Sequence, residues 1–425
     1  AAGACRYMLG AAEPFADSDC TEHSRSRPSG GRLQRGILVM NQQPSPATLW
    51  TYLRSHPLDI ALVSFPVAIA ISYLGVDEMW VFIVSGVAII PLAGLMGRAT
   101  ESLAAKLGSG VGGLLNATFG NAAELVIALV AMWKGPQMYP LVKASLTGSI
   151  IGNVLLVVGL SMLAGGLYHK QQRFNRTSAS MGATLLTLAT VGLIVPSLYY
   201  HAFAAGRPPS IDELETVELL SEEIAFILAG VYLLSLVFTF GTHRKLVSPT
   251  DEGHHDEEPP EWGRRTAIGI LTLATIGVAV MGELLVRSVE DTAHALGMSS
   301  VFVGVIIVAI VGNAAEHSSA IFVAMKNKMD LSFTIAVGSG IQIALFVAPL
   351  LVFASMAMGH ERPLDLHFTQ MEVLAVAISI VVLAQVAQDG ETHWLEGVML
   401  LAVYVVIALA FYHLGEITDV GPVTH

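Results

Sequence analysis

The chain has 425 residues, of which 53% are hydrophobic and only 13% are charged. Soluble domains carry roughly 25% charged residues, so this composition excludes an ordinary soluble protein and favours one that is embedded in a membrane. The net charge of −12 comes from acids that fall mainly in predicted loops. No run of basic residues indicates nucleic-acid binding, and the only cysteines, Cys5 and Cys20, lie outside the apolar part of the chain. A disulfide framework and a cysteine metal site are therefore not expected.

Residues 1–50 precede the apolar part of the chain. They contain Arg, Ser, Gly and scattered acids, without the sustained apolar stretch that a signal peptide needs. We expect a disordered N-terminal extension and assign it no function.

Apolar stretches of about 18–28 residues then follow one another to the end, and each is long enough for a bilayer that needs about 20 residues. They predict an all-α polytopic membrane protein with about 11 transmembrane helices. The predicted spans are residues 57–75, 79–106, 110–133, 138–167, 178–200, 220–241, 265–288, 297–325, 331–358, 367–388 and 392–414. Lys and Arg are more frequent in the loops that are cytoplasmic if the N-terminus is cytoplasmic, which predicts that orientation.

A pentapeptide, Gly-Asn-Ala-Ala-Glu, occurs at residues 120–124 and again at residues 312–316. Each copy is followed by a Gly-Ser segment, with Ser149 in the first and Ser339 in the second. The same features in the same order indicate a duplicated half. Each half has five spans, an odd number, so the two halves must insert with opposite orientation. Inverted repeats with interrupted apolar segments are typical of secondary transporters.

The repeat predicts the domain organisation. One extra helix and the first five-helix repeat occupy residues 51–241, and the second five-helix repeat occupies residues 265–414. An acidic cytoplasmic linker at 242–264 joins them, and a C-terminal tail follows at 415–425. The acids of the linker either attract cations at the cytoplasmic mouth or form an ordinary solvated connection.

Glu124 and Glu316 end the two motif copies inside apolar segments. An ionised carboxylate near the bilayer centre costs at least ~2.5–3.5 kcal/mol, so such residues face a partner or a water-filled cavity. The Gly-Asn pair before each Glu is expected to loosen the helix, because Gly raises the entropic cost and Asn competes for backbone hydrogen bonds. The carbonyls released in this way could line a cavity.

Together these segments offer a ligand set made only of oxygen atoms, which Ca²⁺ prefers. Two carboxylates balance the charge of a divalent ion, and without the ion they repel each other, so protons can take its place. This chemistry predicts exchange of a cation for protons. The predicted metal-binding residues are Glu124, Glu316, Asn121, Asn313, Ser149, Ser339, Gln342 and Asn153.

Three further polar residues lie in or near the apolar segments. Glu101 and Glu283 each precede a motif copy, and His317 directly follows Glu316. We predict a gating or proton-path role for these three. The alternatives are a solvated helix end or an ion pair for the acids and a packed polar residue for the histidine.

The segments GNAAELVIALVA, GNAAEHSSAI, GSIIGN and GSGIQIALFV resemble those of the calcium/proton exchanger (CAX) family of the cation/calcium antiporter superfamily. The resemblance covers about residues 50–414. It implies an eleven-span fold and Ca²⁺ export or sequestration driven by inward proton movement. It also maps the ligand carboxylates of the family onto Glu124 and Glu316. The supporting polar positions map onto Asn121, Asn313, Ser149, Ser339 and Gln342, whereas Asn153 has no strict counterpart in the second repeat.

Other functions remain open at this point. The same motif could serve an antiporter of Mn²⁺, Na⁺ or K⁺ against H⁺, or a sodium-coupled calcium exchanger, and an ion channel would also conduct cations. An enzyme is not expected, because His317 lacks the second histidine of a zinc protease motif and Ser339 has no nearby histidine in sequence.

The expected partners are inorganic cations, protons and the lipid bilayer, without nucleic acid and without a resident cofactor. A homo-oligomer is possible. The expected location is a bacterial inner membrane with a cytoplasmic N-terminus, and a vacuolar or other organelle membrane is the alternative.

Overall fold

The computed structural model describes residues 57–203, 210–243, 261–360 and 362–418. The predicted N-terminal extension, most of the acidic linker and the last residues of the C-terminal tail lie outside the described residues. The predicted domain boundaries therefore stay predictions.

Helices account for nearly all of the described chain. The α-helices are α1 (Ser64–Tyr73), α2 (Glu78–Phe119), α3 (Ala122–Trp133), α4 (Tyr139–Ile151), α5 (Val158–Tyr168), α6 (Arg176–Phe203), α7 (Ile211–Val237), α8 (Arg264–Ala295), α9 (Ser300–Phe302), α10 (Ala309–Met325), α11 (Met329–Gln342), α12 (Ala348–Met358), α13 (Gln370–Val386) and α14 (Trp394–Thr418). Short π-helices occupy Gly152–Val157, Phe238–Thr242, Val303–Val308 and Ile343–Val347, and 3₁₀ turns occupy Pro57–Val63 and Pro136–Met138. The strands are β1 (Gln172–Arg173) and β2 (Glu391–Thr392).

The helix lengths confirm a polytopic membrane protein. Among the described residues, 8 helical stretches are long and apolar enough to cross a membrane. Three shorter apolar helices are Leu58–Tyr73, Ala122–Trp133 and Gln370–Val386. The predicted count of about 11 spans remains a prediction for these three short segments.

The chain reverses direction inside α2. Its helical hydrogen bonding runs from Glu78 to Phe119, yet a side chain on Gly112 would collide with the backbone of Ala104. Eight residues of straight α-helix span about 12 Å, so these two positions can meet only across a sharp turn. The turn lies where the sequence predicts the boundary between spans 79–106 and 110–133.

One end of the helix bundle, which we name the predicted inner end, gathers the loops that follow α5, α10 and α13. Strand β1 pairs antiparallel with β2, with Gln172 opposite Thr392. The Gln172 side-chain amide also donates to the carbonyl oxygen of Ala324 at the end of α10. The alternation of spans requires these three loops to share one side, and they do.

The opposite end, which we name the predicted outer end, gathers the loops after α1, α8 and α12. There Arg287 pairs with Glu78, with 3.5 Å between Nη2 and Oε1, and Lys143 pairs with Asp365. The described loops therefore separate into two groups, as a bundle that crosses a membrane repeatedly demands.

Small residues allow the close helix contacts at the centre of the bundle. Gly148 in α4 lies against the backbone of Val305, so that no side chain fits at this position. A Cβ atom on Gly304 would stand 2.7 Å from the Cβ atom of Ala144. Small residues are typical of membrane helix contacts, because they let backbones approach closely. This crossing brings the segment after Gly148 next to the second motif.

Candidate functional site

The two motif copies meet at the centre of the bundle. Glu124 lies in the first turn of α3 with 8% of its surface exposed, and its Oε1 is 3.4 Å from the position that a Cβ atom of Gly312 would take. Glu316 lies in α10, and its Oε1 is likewise 3.4 Å from the Cβ position of Gly120. Each carboxylate thus packs against the glycine of the other motif. The two carboxylates are close enough to interact electrostatically.

A network of amide and hydroxyl groups surrounds the first motif. Asn121 Nδ2 donates to Gln342 Oε1 at 2.7 Å, and Ser339 Oγ donates to Asn121 Oδ1 at 2.8 Å. Ser339 also lies within hydrogen-bonding reach of Glu316. The amide of the first motif is therefore held by residues of the second repeat.

A matching network surrounds the second motif. Asn313 Nδ2 donates to Ser149 Oγ at 2.9 Å, so the amide of the second motif is held by the first repeat. Asn153 Nδ2 donates to Asn313 Oδ1 at 3.2 Å and to Ser339 Oγ at 3.0 Å, which joins the two networks. The eight residues that the sequence singles out as metal ligands consequently lie in one region. These residues are Glu124, Glu316, Asn121, Asn313, Ser149, Ser339, Gln342 and Asn153.

Two acceptor atoms in this region lack a partner. Glu316 Oε2 and Asn153 Oδ1 are buried and have no hydrogen-bond partner among the residues that the structure describes. A buried acceptor without a partner is costly, and in native proteins it usually indicates a missing ligand, ion or proton. Both atoms are therefore available to a cation or to a proton.

The donor set fits a hard cation as cargo. Ca²⁺ takes 6–8 oxygen ligands from carboxylates, amides, carbonyls and water, and this region supplies carboxylate, amide and hydroxyl oxygens. In the described part of the chain, no group of three or more His, Cys, Asp and Glu side chains is arranged to hold a metal. Neutral oxygens must therefore complete any coordination that the two carboxylates begin.

The helix is interrupted at the first motif. Helix α2 ends at Phe119 and α3 begins at Ala122, with Asn121 outside the helical conformation at φ −97° and ψ 28°. The expected loosening by the Gly-Asn pair is observed here. The Asn121 side chain turns away from its own helix toward Gln342 and Ser339.

The second motif is different, and the expected loosening is wrong for it. Helix α10 runs through residues 312–316 without a break. Asn313 Nδ2 donates to the carbonyl oxygen of Ala309 at 2.9 Å, one turn earlier in the same helix. The Asn313 amide therefore bonds within its own helix through one hydrogen and to Ser149 of the first repeat through the other.

Irregular backbone does occur at matching places in both repeats, in the Gly-Ser segments. A π-helix at Gly152–Val157 follows α4, and a π-helix at Ile343–Val347 follows α11. Another, at Val303–Val308, precedes the second motif. Short π-helical turns are rare and occur frequently at functional sites. The π-helices at Gly152–Val157 and Ile343–Val347 begin within four residues after Ser149 and Ser339, next to the side chains that contact the motifs.

The three residues with a predicted gating or proton-path role have different surroundings. Glu283 pairs with Lys134 at the end of α3, with 3.0 Å between Oε1 and Nζ, and 53% of its side chain is exposed. Glu101 is exposed on α2. His317 is buried, and its Nε2 has no hydrogen-bond partner within the described ranges.

The role of the motif glycines is absent from the sequence-based prediction. Gly120 and Gly312 are interpreted there as helix looseners, whereas the structure places each against the carboxylate of the other motif. The sequence feature that could have indicated this role is their identical position, four residues before each Glu.

A family model described as sodium/calcium exchanger protein matches residues 78–241 and 266–413. The chain belongs to this exchanger family. The two matched ranges fall in the two predicted repeats, and they leave the acidic linker between them unmatched. Membership of a family of exchangers agrees with the prediction that the protein is not an enzyme.

Two bacterial relatives and one solved structure are similar over most of their length. A Ca²⁺/H⁺ antiporter of Synechocystis sp. is 43% identical over 371 residues, covering 83% of this chain and 96% of the relative. The Ca²⁺/H⁺ antiporter ChaA of Bacillus subtilis is 44% identical over 333 residues, covering 78% and 91%. The crystal structure of the Ca²⁺/H⁺ antiporter protein YfkE superposes with a TM-score of 0.70 at 39% identity, covering 84% and 99%. The resemblance to calcium/proton exchangers is confirmed.

Proposed function

We propose that this protein exchanges Ca²⁺ for H⁺ across a membrane by alternating access, and that Glu124 and Glu316 form one site shared by the ion and the protons. The observation that carries the proposal is the meeting of the two motif carboxylates at the centre of the bundle, beside unpartnered acceptor atoms. The Ca²⁺/H⁺ antiporters to which the chain is similar support Ca²⁺ and H⁺ as the exchanged ions.

Charge balance explains why the two ions are coupled. An empty site holds two ionised carboxylates in a buried region, and burying uncompensated charge is expensive. One Ca²⁺ or two protons remove this net charge. The change between the two access states therefore has a low free-energy cost when the site holds either Ca²⁺ or protons, and a high cost when the site is empty. A carrier that can change state only when loaded exchanges the two ions.

The amide and hydroxyl groups supply neutral oxygens and orient the carboxylates. Ser339 donates to Asn121 and lies close to Glu316, so it stands between a predicted ligand amide and a predicted ligand carboxylate. Asn153 Oδ1 and Glu316 Oε2 have no partner among the described residues, so they can serve as ligands of the ion. Protonation of the carboxylate gives it a donor with which to bond its neighbours.

We assign gating to the ion pair between Glu283 and Lys134. This ion pair joins α8 of the second repeat to the end of α3 of the first repeat, and it lies toward the predicted outer end. Lys326 takes the same place after the second motif, ten residues beyond Glu316, as Lys134 takes after the first. Glu101, on the helix that packs along α10, is the candidate acid for the predicted inner end.

His317 is proposed to belong to the proton path. It is adjacent to Glu316 in sequence, it is buried, and its Nε2 has no partner in the described parts of the chain. An imidazole can accept a proton at one nitrogen and donate one at the other, which suits proton transfer to a neighbouring carboxylate. His317→Gln should slow proton-driven uptake while leaving Ca²⁺ affinity unchanged. Equal Ca²⁺ uptake rates for the variant and the wild type would exclude this role.

The location proposed is a bacterial inner membrane with the N-terminus on the cytoplasmic side. The bacterial relatives support the membrane, and the excess of Lys and Arg in the predicted inner loops supports the orientation. A reporter enzyme that is active only outside the cytoplasm should be active when it is fused after α14.

The decisive experiment is ⁴⁵Ca²⁺ uptake into proteoliposomes driven by an imposed pH gradient. Uptake should require the gradient and should cease when a protonophore collapses it. An imposed Na⁺ gradient at constant pH should not drive uptake, whereas a sodium-coupled exchanger would respond to it. Competition with Mn²⁺, Na⁺ and K⁺ then ranks the ions, and uptake without dependence on pH would contradict the proposal.

A further inference from the structure

The two motif glycines lie where a side chain would meet the carboxylate of the other motif. A Cβ atom on Gly312 would stand 3.3 Å from Glu124 Cγ and 3.4 Å from Glu124 Oε1. A Cβ atom on Gly120 would stand 3.3 Å from Gln342 Oε1 and 3.4 Å from Glu316 Oε1. Spacings of 3.3 Å are tighter than nine in ten real Cβ contacts, so an added methyl group requires the neighbouring side chain to shift by a few tenths of an ångström.

Backbone conformation does not explain these glycines. Gly120 has φ −55° and ψ −48°, and Gly312 lies inside helix α10, so both have right-handed helical backbones that any L-residue adopts. Inside a helix, Gly costs about 0.5–1 kcal/mol relative to Ala, so Gly312 opposes the stability of α10. What glycine provides at each position is space, because it has no side chain.

We propose that Gly120 and Gly312 determine the size and ion preference of the cation site, each by leaving room for the carboxylate of the opposite repeat. This inference rests on the proposed function. Each carboxylate lies against the backbone of the other half, so the width of the site depends on the distance between the repeats. A methyl group at either glycine takes volume from the site and moves one ligand.

The predicted consequence is a selective loss of affinity. Changes to residues that orient metal ligands typically lower affinity by about 10- to 100-fold. Ca²⁺ needs 6–8 oxygens at about 2.3–2.6 Å, so a narrowed site should penalise the larger Sr²⁺ more than Ca²⁺, and the smaller Mn²⁺ less. A defect confined to folding or membrane insertion would reduce the amount of active protein without altering this order.

Gly312→Ala is the cleaner variant. At Gly120 an added methyl would also stand 2.9 Å from the carbonyl oxygen of Asn116, so a backbone effect would be superimposed. Near Gly312 the three closest atoms all belong to Glu124. Gly97 on α2 is the matched control, because no heavy atom in the described chain lies within 4 Å of its Cβ position.

The experiment measures equilibrium ⁴⁵Ca²⁺ binding to purified full-length protein, with Sr²⁺ and Mn²⁺ as competitors, alongside proteoliposome uptake. Gly312→Ala should raise the Kd for Ca²⁺ by about 10- to 100-fold and shift the ranking toward Mn²⁺, whereas Gly97→Ala should behave as the wild type. Glu124→Asp shortens the carboxylate side chain by one methylene group. The double variant Gly312→Ala with Glu124→Asp should therefore bind Ca²⁺ more tightly than either single variant.

Two results would overturn the inference. One is a Kd and an ion ranking for Gly312→Ala that match those of Gly97→Ala. The other is loss of binding in Gly312→Ala that the shorter acid does not relieve, since a steric cause predicts relief. Failure of the proposed function is distinguishable, because it appears as wild-type protein that binds Ca²⁺ but shows no pH-driven uptake.

Discussion

The two motif copies have the same five residues and different backbones. The first is broken at Gly120 and Asn121, whereas the second lies inside the continuous helix α10. Local sequence therefore does not decide whether this pentapeptide is helical. The asparagines differ in the same way, because Asn121 bonds Gln342 and Ser339 across the repeats, whereas Asn313 also bonds Ala309 in its own helix.

The amide side chains in the Gly-Ser segments, Asn153 and Gln342, also differ between the two repeats. Asn153 is fully buried and donates to both Asn313 and Ser339. Gln342 is partly exposed and accepts one hydrogen bond, from Asn121, among the described residues. The site therefore has approximate twofold symmetry in its carboxylates and clear asymmetry in its amides, which indicates that the second motif is held more rigidly than the first.

The largest effect is expected at the carboxylates, where the two repeats should be equivalent. Glu124→Gln and Glu316→Gln should each abolish pH-driven Ca²⁺ uptake, because either change removes one of the two charges that balance the ion. Glu215→Gln, an exposed acid on α7, is the control for expression and insertion. Near-wild-type uptake by one of the two variants would show that the carboxylates do not share one ion.

A smaller effect should separate the amides. Asn153→Ala should lower the free energy of unfolding more than Gln342→Ala, since it removes two buried hydrogen bonds, to Asn313 Oδ1 and Ser339 Oγ, whereas Gln342→Ala removes the one from Asn121. A buried group that loses its partner costs about 1–3 kcal/mol. Thermal unfolding of the two variants in detergent measures the difference, and equal losses of Tm would contradict the greater rigidity of the second motif.

The ion pair at the predicted outer end should have a modest effect. Solvent-exposed pairs contribute about 0.2–1 kcal/mol, so Glu283→Gln should change the KM for Ca²⁺ by less than about tenfold. The charge swap Lys134→Glu with Glu283→Lys should restore the wild-type value. A swap that behaves no better than the single variant would mean that the pair itself is irrelevant to gating.

The smallest effect concerns pH at the loop between α12 and α13. Burial lowers the pKa of His367 to about 4, with Lys143 and His201 adding to the shift and Asp365 opposing it. His367 therefore binds a proton more readily when this loop is unpacked and the ring is exposed to solvent. Its packing is therefore fully stable above the ordinary histidine pKa near 6.5 and weakens as the pH falls from there toward 4.

Hydrogen exchange of the loop amides tests this sign. After correction for the intrinsic rate, exchange should be faster at pH 5.5 than at pH 7.5. The dependence should disappear in His367→Phe, which keeps an aromatic ring for the stacking on Tyr200. Equal protection at both pH values in the wild type would exclude the predicted release.

Much of the site could be predicted because charge and repetition are visible in sequence. A carboxylate in an apolar segment needs a partner, and two copies of one pentapeptide implied that the partner of Glu124 is Glu316. The hydroxyl and amide positions followed from the Gly-Ser segments. All eight residues do lie together in the structure, and their roles as ligands remain the prediction that the variants above test.

The remaining features depend on contacts between the repeats. Identical pentapeptides cannot predict that one is broken and the other continuous, and the hydrogen bond that accompanies the break joins Asn121 to Gln342, 221 residues away. The contact of Gly312 with Glu124 is likewise a consequence of helix crossing. The lengths of the apolar stretches predicted the turn inside α2, but they could not predict the packing of Gly112 against Ala104.

The central claim is that Ca²⁺ and protons occupy the same two carboxylates. Calorimetric titration of purified protein with Ca²⁺ in buffers of different ionisation enthalpy counts the protons released on binding. The account predicts proton release, a Kd that weakens as the pH falls, and loss of both effects in Glu124→Gln and Glu316→Gln. Ca²⁺ binding without proton release and with a Kd independent of pH would contradict it.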